Sequence, residues 1–367
     1  MVGKTGRGWL THLEREESVM SDSADGVRAV DCTAYLAGTS GSDEVCEQVM
    51  RIMCDDGLLA LHDPRTESGL TDRVLDLVLR YFQQPEHLKK DDEQDSPEAY
   101  HQSGWTPPFT ELPNPKHFAE ALRLGLDPVP HPVLGEDRKE RFFAPIGELP
   151  PYQSAFVNLN VKPVIPKGFG GEWELIIGAY GTAMKAAVWT FLEMLAVGFS
   201  LEKDFFTRWF TYGPHLFAPT GSDMIKHGAP GTVLAGVHRD IGGVSIHGSS
   251  NLAGLLAWLR NGRRIKVRVP KGYFLIQAAQ QLEWLTGGKV LHGFHEVVAL
   301  EEVQPMIAAA RANSEQLWRG GDTGFFHMTS DEESGPKGPF ATDEALARYP
   351  PITAGKQVLQ ELGIIGL

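Results

Sequence analysis

From residue 232 onward the chain is a succession of short β-prone runs punctuated by Gly, Asn or Pro, a texture that few folds accept. The runs are 232–240, 244–246, 254–259, 265–269, 273–277, 290–298 and 323–328. Strands this short and this evenly spaced bury one face against another sheet, which predicts an antiparallel sandwich or barrel, jelly roll included. Asn261-Gly262 sits between two of them and is the strongest hairpin signal in the chain, because a tight hairpin turn needs residues that tolerate positive φ. No repeat of 20–50 residues is visible, which argues against a propeller or solenoid.

The preceding half is mixed α/β. A strand is expected at 27–31, a helix at 43–56, a strand at 58–62 and a helix at 70–82, the helices because Val45, Val49, Ile52 and Met53, then Leu70, Val74, Leu75, Val78 and Phe82, recur at helical spacing. Residues 89–152 carry the charge run KKDDEQD and many prolines, which reads as long excursions over the surface. The best helix spans about 171–199, where Leu175, Ala179, Ala183, Ala187, Phe191 and Leu195 form a broad apolar face expected to brace a sheet. The organisation expected is therefore a mobile leader over 1–26, an N-terminal α/β region with long Pro-rich loops over 27–150, and a helix-braced β domain over 151–367.

Composition narrows the function. There are 34 basic against 47 acidic residues, net charge −13, and no Lys/Arg-rich tract, so a nucleic-acid or anionic-membrane role has no electrostatic footprint. Glu193 interrupts the most apolar run, and the first residues contain no apolar h-region, so neither a membrane span nor a signal peptide is expected. Cys32, Cys46 and Cys54 are odd in number and lack C-x-x-C spacing. They suggest neither a disulfide framework nor a thiolate zinc site, and a cytoplasmic setting is expected.

Chemistry is concentrated in two runs. In VLAGVHRDIGG, His238 and Asp240 stand two apart, and a strand would place both on one face. H-x-[DE] alone is weak, since His12 and Glu14 in the leader have the same spacing. A second β-prone run, KVLHGFHEVVAL, offers His292 and His295, whose odd offset would send them to opposite faces of a regular strand. Two histidines and a carboxylate on a β scaffold make the facial triad that holds Fe(II) with open positions.

HRD, then I-H-G, then QLEWLTGGKVLHGFHEVV resembles the isopenicillin N synthase-like branch of the Fe(II)- and 2-oxoglutarate-dependent oxygenases. The likeness also takes in APTGSD, the long helix, VCEQVMRIMCDDGLLAL and the closing YPPITAG. It implies a double-stranded β-helix (jelly roll) core wrapped by helices, and metal ligands His238, Asp240 and His295, with His295 rather than His292 matching the family's distal histidine. It also implies Fe(II), O2 and, as cosubstrate, 2-oxoglutarate, used to hydroxylate, desaturate or cyclise a small amino-acid-like or secondary-metabolite substrate.

The family's R-x-S carboxylate anchor is matched best by Arg319-Gly320-Gly321, with Gly321 in place of the serine; Arg311 is the rival. Arginine retention keeps the bidentate fork, whereas a hydroxyl adds one hydrogen bond worth about 0.5–1.5 kcal/mol. The missing serine motivates a second reading, a 2-oxoglutarate-independent oxidase in which Arg319 holds the substrate's own carboxylate. A third is a non-catalytic metal-binding jelly-roll protein. His227, where the family often has tyrosine, and Phe325 are candidate pocket residues, and Gly242 stands where the family often has asparagine. Trp258, Trp284 and Phe326 read as core aromatics. No nucleotide-binding glycine motif has the strand-to-helix setting it needs.

Overall fold

The computed structural model describes residues 26–93, 100–132 and 135–367. The leader expected over 1–26, apart from Gly26, and parts of the Pro-rich excursions at 94–99 and 133–134 lie outside the described residues.

The strands are β1 (Ala29–Asp31), β2 (Leu58–His62), β3 (Gly104–Thr106), β4 (Glu140–Pro145), β5 (Leu216–Phe217), β6 (Thr220–Asp223), β7 (Val233–His238), β8 (Val244–Ser250), β9 (Leu255–Trp258), β10 (Arg264–Lys266), β11 (Tyr273–Ala278), β12 (His295–Val298) and β13 (Trp318–Phe326). Among the described residues they form a larger sheet, β1-β2-β11-β8-β13-β5-β4-β3 with β6 bridging β13 and β4, and a smaller one, β10-β9-β12-β7. These two sheets are the halves of a double-stranded β-helix braced by helices, the fold class the sequence led to.

The N-terminal strands extend the larger sheet, β2 pairing antiparallel with β11 along its whole length. β2 reads LLALH and is buried except at its last residue, as expected of a strand covered on both faces. Helices Ser42–Asp55 and Leu70–Phe82 match their predicted spans, and the long helix runs Gly170–Gly198. That helix has the length and composition to cross a membrane, but here it is packed within the fold, with Trp173, Tyr180, Met184, Phe191 and Leu195 in the main core. Each such side chain contributes about 1.5–3 kcal/mol by leaving water. The Asn261-Gly262 signal marks the β9–β10 hairpin, with Gly262 at φ 82°.

Two expectations need correction. The stretch 89–152 is more than loop: it supplies β3, β4 and helix Pro115–Arg123. Within its charge run, Lys89 and Asp92 are buried, Lys89 Nζ lying 2.5 Å from Glu140 Oε2 on β4. A charge run reads as solvated only while no carboxylate from elsewhere in the chain meets it. The predicted strand over 290–298 begins only at His295, because Val290 and His292 are tied to the preceding helix through Thr286 and Glu283.

Candidate metal centre

The triad is assembled by pairing across the smaller sheet. β12 runs antiparallel to β7 with His295 opposite His238 at the strand ends, the two rings 4.1 Å apart. Asp240 follows two residues later, just past the end of β7 in the link to β8. Its Oδ1 stands 3.6 Å from Nε2 of His238 and 3.6 Å from Nε2 of His295. One nitrogen or oxygen from each of the three lies within 4.8 Å of the others.

Surrounding groups orient these donors. His238 Nδ1 donates to the Gly236 carbonyl at 2.7 Å, which leaves Nε2 as the nitrogen that faces Asp240. The Gln277 amide lies 3.1 Å from His295 Nδ1, and its own oxygen is buried without a partner. Turned so that this oxygen accepts, Gln277 fixes Nδ1–H and frees Nε2 in the same sense. Ser245 Oγ donates to Asp240 Oδ2 at 2.5 Å. Burial opposes charge on Asp240, but the facing His295, His238 and His247 rings and the Ser245 bond outweigh it and hold the carboxyl at about 2. Burial, aided by His238, pushes His295 down to about 3, so its imidazole is neutral near pH 7. A carboxylate and neutral imidazoles are the protonation states a divalent cation requires.

His292 is turned away and held by Glu283, which accepts from both its backbone N–H and its ring. It is excluded by this partner rather than by strand alternation.

Two cavities flank the triad. The larger, about 540 Å³, lies between the sheets and is lined by His238, Asp240, His295, His247, Thr220 and Arg319, among others. Arg319, on β13, is buried there; its Nε has no partner, and the guanidinium meets no carboxylate among the described residues. Desolvation pulls it down to about 10. Arg311 lies instead on helix Gln304–Ala312, exposed, donating to the Ile225 carbonyl. Gly321 pairs with Thr220 on β6, and a Cβ built on Gly321 would lie 3.6 Å from Thr220 Oγ1 and 3.8 Å from an Arg319 terminal nitrogen. A hydroxyl therefore stands beside the place of the missing serine, offered by the neighbouring strand. Sequence reasoning missed Thr220, since nothing local announces a cross-strand neighbour.

The second cavity, about 130 Å³, also reaches His238 and Asp240 and is lined by Phe143, Leu216, Ile241, Gly242, Phe325 and Leu362 with several charged residues. Phe325 lines both cavities, whereas His227 lines neither and sits edge-on to Phe109. Trp258 and Phe326 are core residues, and Trp284 packs against Tyr349.

The chain matches no protein-family model, and comparison with curated proteins gives no match. Solved structures do match over nearly the whole chain. A full-length Neurospora crassa protein solved in complex with α-ketoglutarate is 16% identical, covers 94% of this chain and 98% of its own, and gives a TM-score of 0.71. The chain has the fold of the 2-oxoglutarate/Fe(II) oxygenases. A putative 2OG-Fe(II) oxygenase family protein from Caulobacter crescentus shares this oxygenase fold at 21% identity, with 92% and 99% coverage and a TM-score of 0.70. The dioxygenase for auxin oxidation of rice shares it at 16% identity, with 92% and 95% coverage and a TM-score of 0.65.

Proposed function

We propose that this chain is a non-haem Fe(II)- and 2-oxoglutarate-dependent oxygenase acting on a small molecule, with His238, Asp240 and His295 as iron ligands and Arg319 as anchor of the cosubstrate's far carboxylate. The observation that carries the proposal is Arg319: a buried guanidinium without a counter-ion among the described residues, opening into the same cavity as the triad. Unpaired buried charge is costly, and a ligand carboxylate is what would relieve it.

The donors fit the ion. Two neutral imidazoles and one carboxylate are a set that Fe(II) accepts with other positions left open. Donors about 2.1 Å from a common ion stand about 3–4.2 Å apart, and the two 3.6 Å separations fall in that range. When bound, Fe(II) supplies oxygen activation and 2-oxoglutarate the two electrons that accompany it.

The chain's own part is positioning. Gly236, Gln277 and Ser245 hold the three ligands in orientation before the ion arrives. Arg319 offers two parallel donors to a carboxylate, and Thr220 adds the hydroxyl that Gly321 lacks. With that hydroxyl present, the missing serine no longer argues for the oxidase reading, in which Arg319 would hold the substrate's own carboxylate. The free cysteines, Cys32 and Cys46 buried and Cys54 half-buried, support a reducing cytoplasmic setting.

Calorimetry on Mn(II)-loaded protein tests the proposal without turnover. Expected are one ion per chain, lost in His238→Ala, and 2-oxoglutarate binding that weakens at least 100-fold in Arg319→Ala. Unchanged ion stoichiometry in the first variant, or unchanged 2-oxoglutarate affinity in the second, would refute the assignments.

A further inference from the structure

The two cavities differ in their charge balance. In the larger one Arg319 is ion-paired with no acid among the described residues, while Arg268 is matched by Glu302 at 3.0 Å. The smaller one also contains cations, but each of them is already met by an acid. Arg141, buried on β4, is ion-paired with Glu111 and lies over the Phe143 ring. Lys139, two residues earlier, is paired with Glu111 at 2.5 Å and with Asp137. Arg239 meets Glu120 at 3.1 Å and stacks on Phe294.

Glu361 of the C-terminal helix adds a further carboxylate. Among the described residues it is met by the neutral amides of Gln280 at 3.3 Å and Asn114 at 3.4 Å, and by no cation. The rest of the wall is apolar: Leu112, Phe143, Leu216, Phe325, Val358 and Leu362.

We infer that the substrate taken by this smaller cavity is an uncharged, mainly apolar small molecule, and that the site's anionic ligand belongs to the larger cavity, at Arg319. The inference rests on the oxygenase reading for the meaning of the triad, but its physical basis is separate. An anionic substrate would lose its hydration without gaining a free cation and would stand near Glu361. A cationic one would find Glu361 unpaired, but would lose its hydration in a cavity that also holds the like charges of Lys139 and Arg141. A neutral molecule bears neither cost: it meets the aromatic and aliphatic wall on one side and, on the other, a cluster whose cations are paired but whose Arg141 Nη2 and Arg239 Nε still lack a partner and can donate to a neutral oxygen.

The test uses one ring system with three head groups: phenylacetamide, phenylacetate and phenethylamine. Ligand-observed saturation-transfer NMR is run on the full chain without added metal, in the wild type and in Arg319→Met. The variant removes the carboxylate anchor, so the readout depends on neither iron nor cosubstrate. Failure here leaves the 2-oxoglutarate titration as a separate test of the oxygenase reading.

In Arg319→Met, phenylacetamide is expected to bind at least tenfold more tightly than either charged analogue. Adding Glu111→Gln, which leaves Lys139 and Arg141 one acid short, is expected to raise phenylacetate relative to the amide at least tenfold. The inference is overturned if either charged analogue binds as tightly as the amide, if the amide shows no transfer at millimolar concentration, or if Glu111→Gln leaves the acid-to-amide ratio unchanged.

Discussion

Replacing Arg319 with methionine should make the ligand-free protein more stable while removing its cosubstrate affinity. The guanidinium is buried with Nε unpartnered, and desolvation lowers its pKa from 12.5 to about 10. The folded state thus disfavours the charged form by two to three pK units, on the order of 3 kcal/mol at about 1.4 kcal/mol per unit. Because a cation's folded pKa is depressed, this cost is present at every pH below about 10, including neutrality. Water in the 540 Å³ cavity offsets part of it, so about 1–3 kcal/mol should be recovered when methionine fills the same length without charge. With an unfolding entropy of about 2.1 cal/mol/K per residue, the midpoint rises by roughly 1.5–4 °C.

Thermal unfolding by circular dichroism, without metal, measures this directly. In the wild type loaded with Mn(II), 2-oxoglutarate at 100 times its Kd should add about 2.7 kcal/mol, and in the variant nothing. A variant melting well below the wild type would mean that Arg319 is a structural tie. Equal stabilisation of both proteins by 2-oxoglutarate would place the anchor elsewhere. Either result refutes the reasoning.

Further expectations follow from neighbouring contacts. Thr220→Val keeps the shape beside Gly321 and removes the hydroxyl, so 2-oxoglutarate affinity should fall about 3–10-fold in the same titration, one hydrogen bond being worth about 0.5–1.5 kcal/mol; no change would exclude Thr220 from the anchor. Glu283 is buried, and the His292 and Tyr349 bonds outweigh that burial to hold its carboxyl at about 2. Its contribution is therefore complete above its unfolded value of about 4.3 and is lost as pH falls toward 2, so Glu283→Gln should flatten stability over that interval in acid-unfolding curves. Lys89→Ala would strand Glu140 in the core and should cost about 3–5 kcal/mol in urea unfolding, whereas Lys89→Met with Glu140→Gln should recover much of it. Recovery of nothing by the double variant would show that the loss lies in packing against Trp105 and Trp318 rather than in charge.

What could be read from the residues was whatever depends on periodicity or on a local turn. The alternation of short strands, the helices at 42–55, 70–82 and 170–198 and the Asn261-Gly262 hairpin are decided within one or two turns of chain, where apolar spacing and backbone preference act without outside help. His238, Asp240 and His295 could be named as one set because each stands in a run with its own pattern. The reason given for choosing between the two distal histidines was incomplete, since His292 is held off by Glu283. The burial of Lys89 was illegible because its partner, Glu140, belongs to a strand 51 positions away.

The choice between Arg319 and Arg311 was likewise beyond the sequence. Both are arginines in plausible surroundings, and only the fold buries one in the triad's cavity and leaves the other exposed on a helix. The sequence by itself determined the sheet-rich architecture and the chemical kind of the metal ligands, because those follow from local pattern and side-chain type. The tertiary structure alone decided which charges are compensated, through Glu111 beside Lys139 and Arg141, Thr220 beside Gly321, and, among the described residues, no acid paired with Arg319. Electrostatic balance is a property of neighbours in space, and strand pairing brings together residues that no local pattern relates.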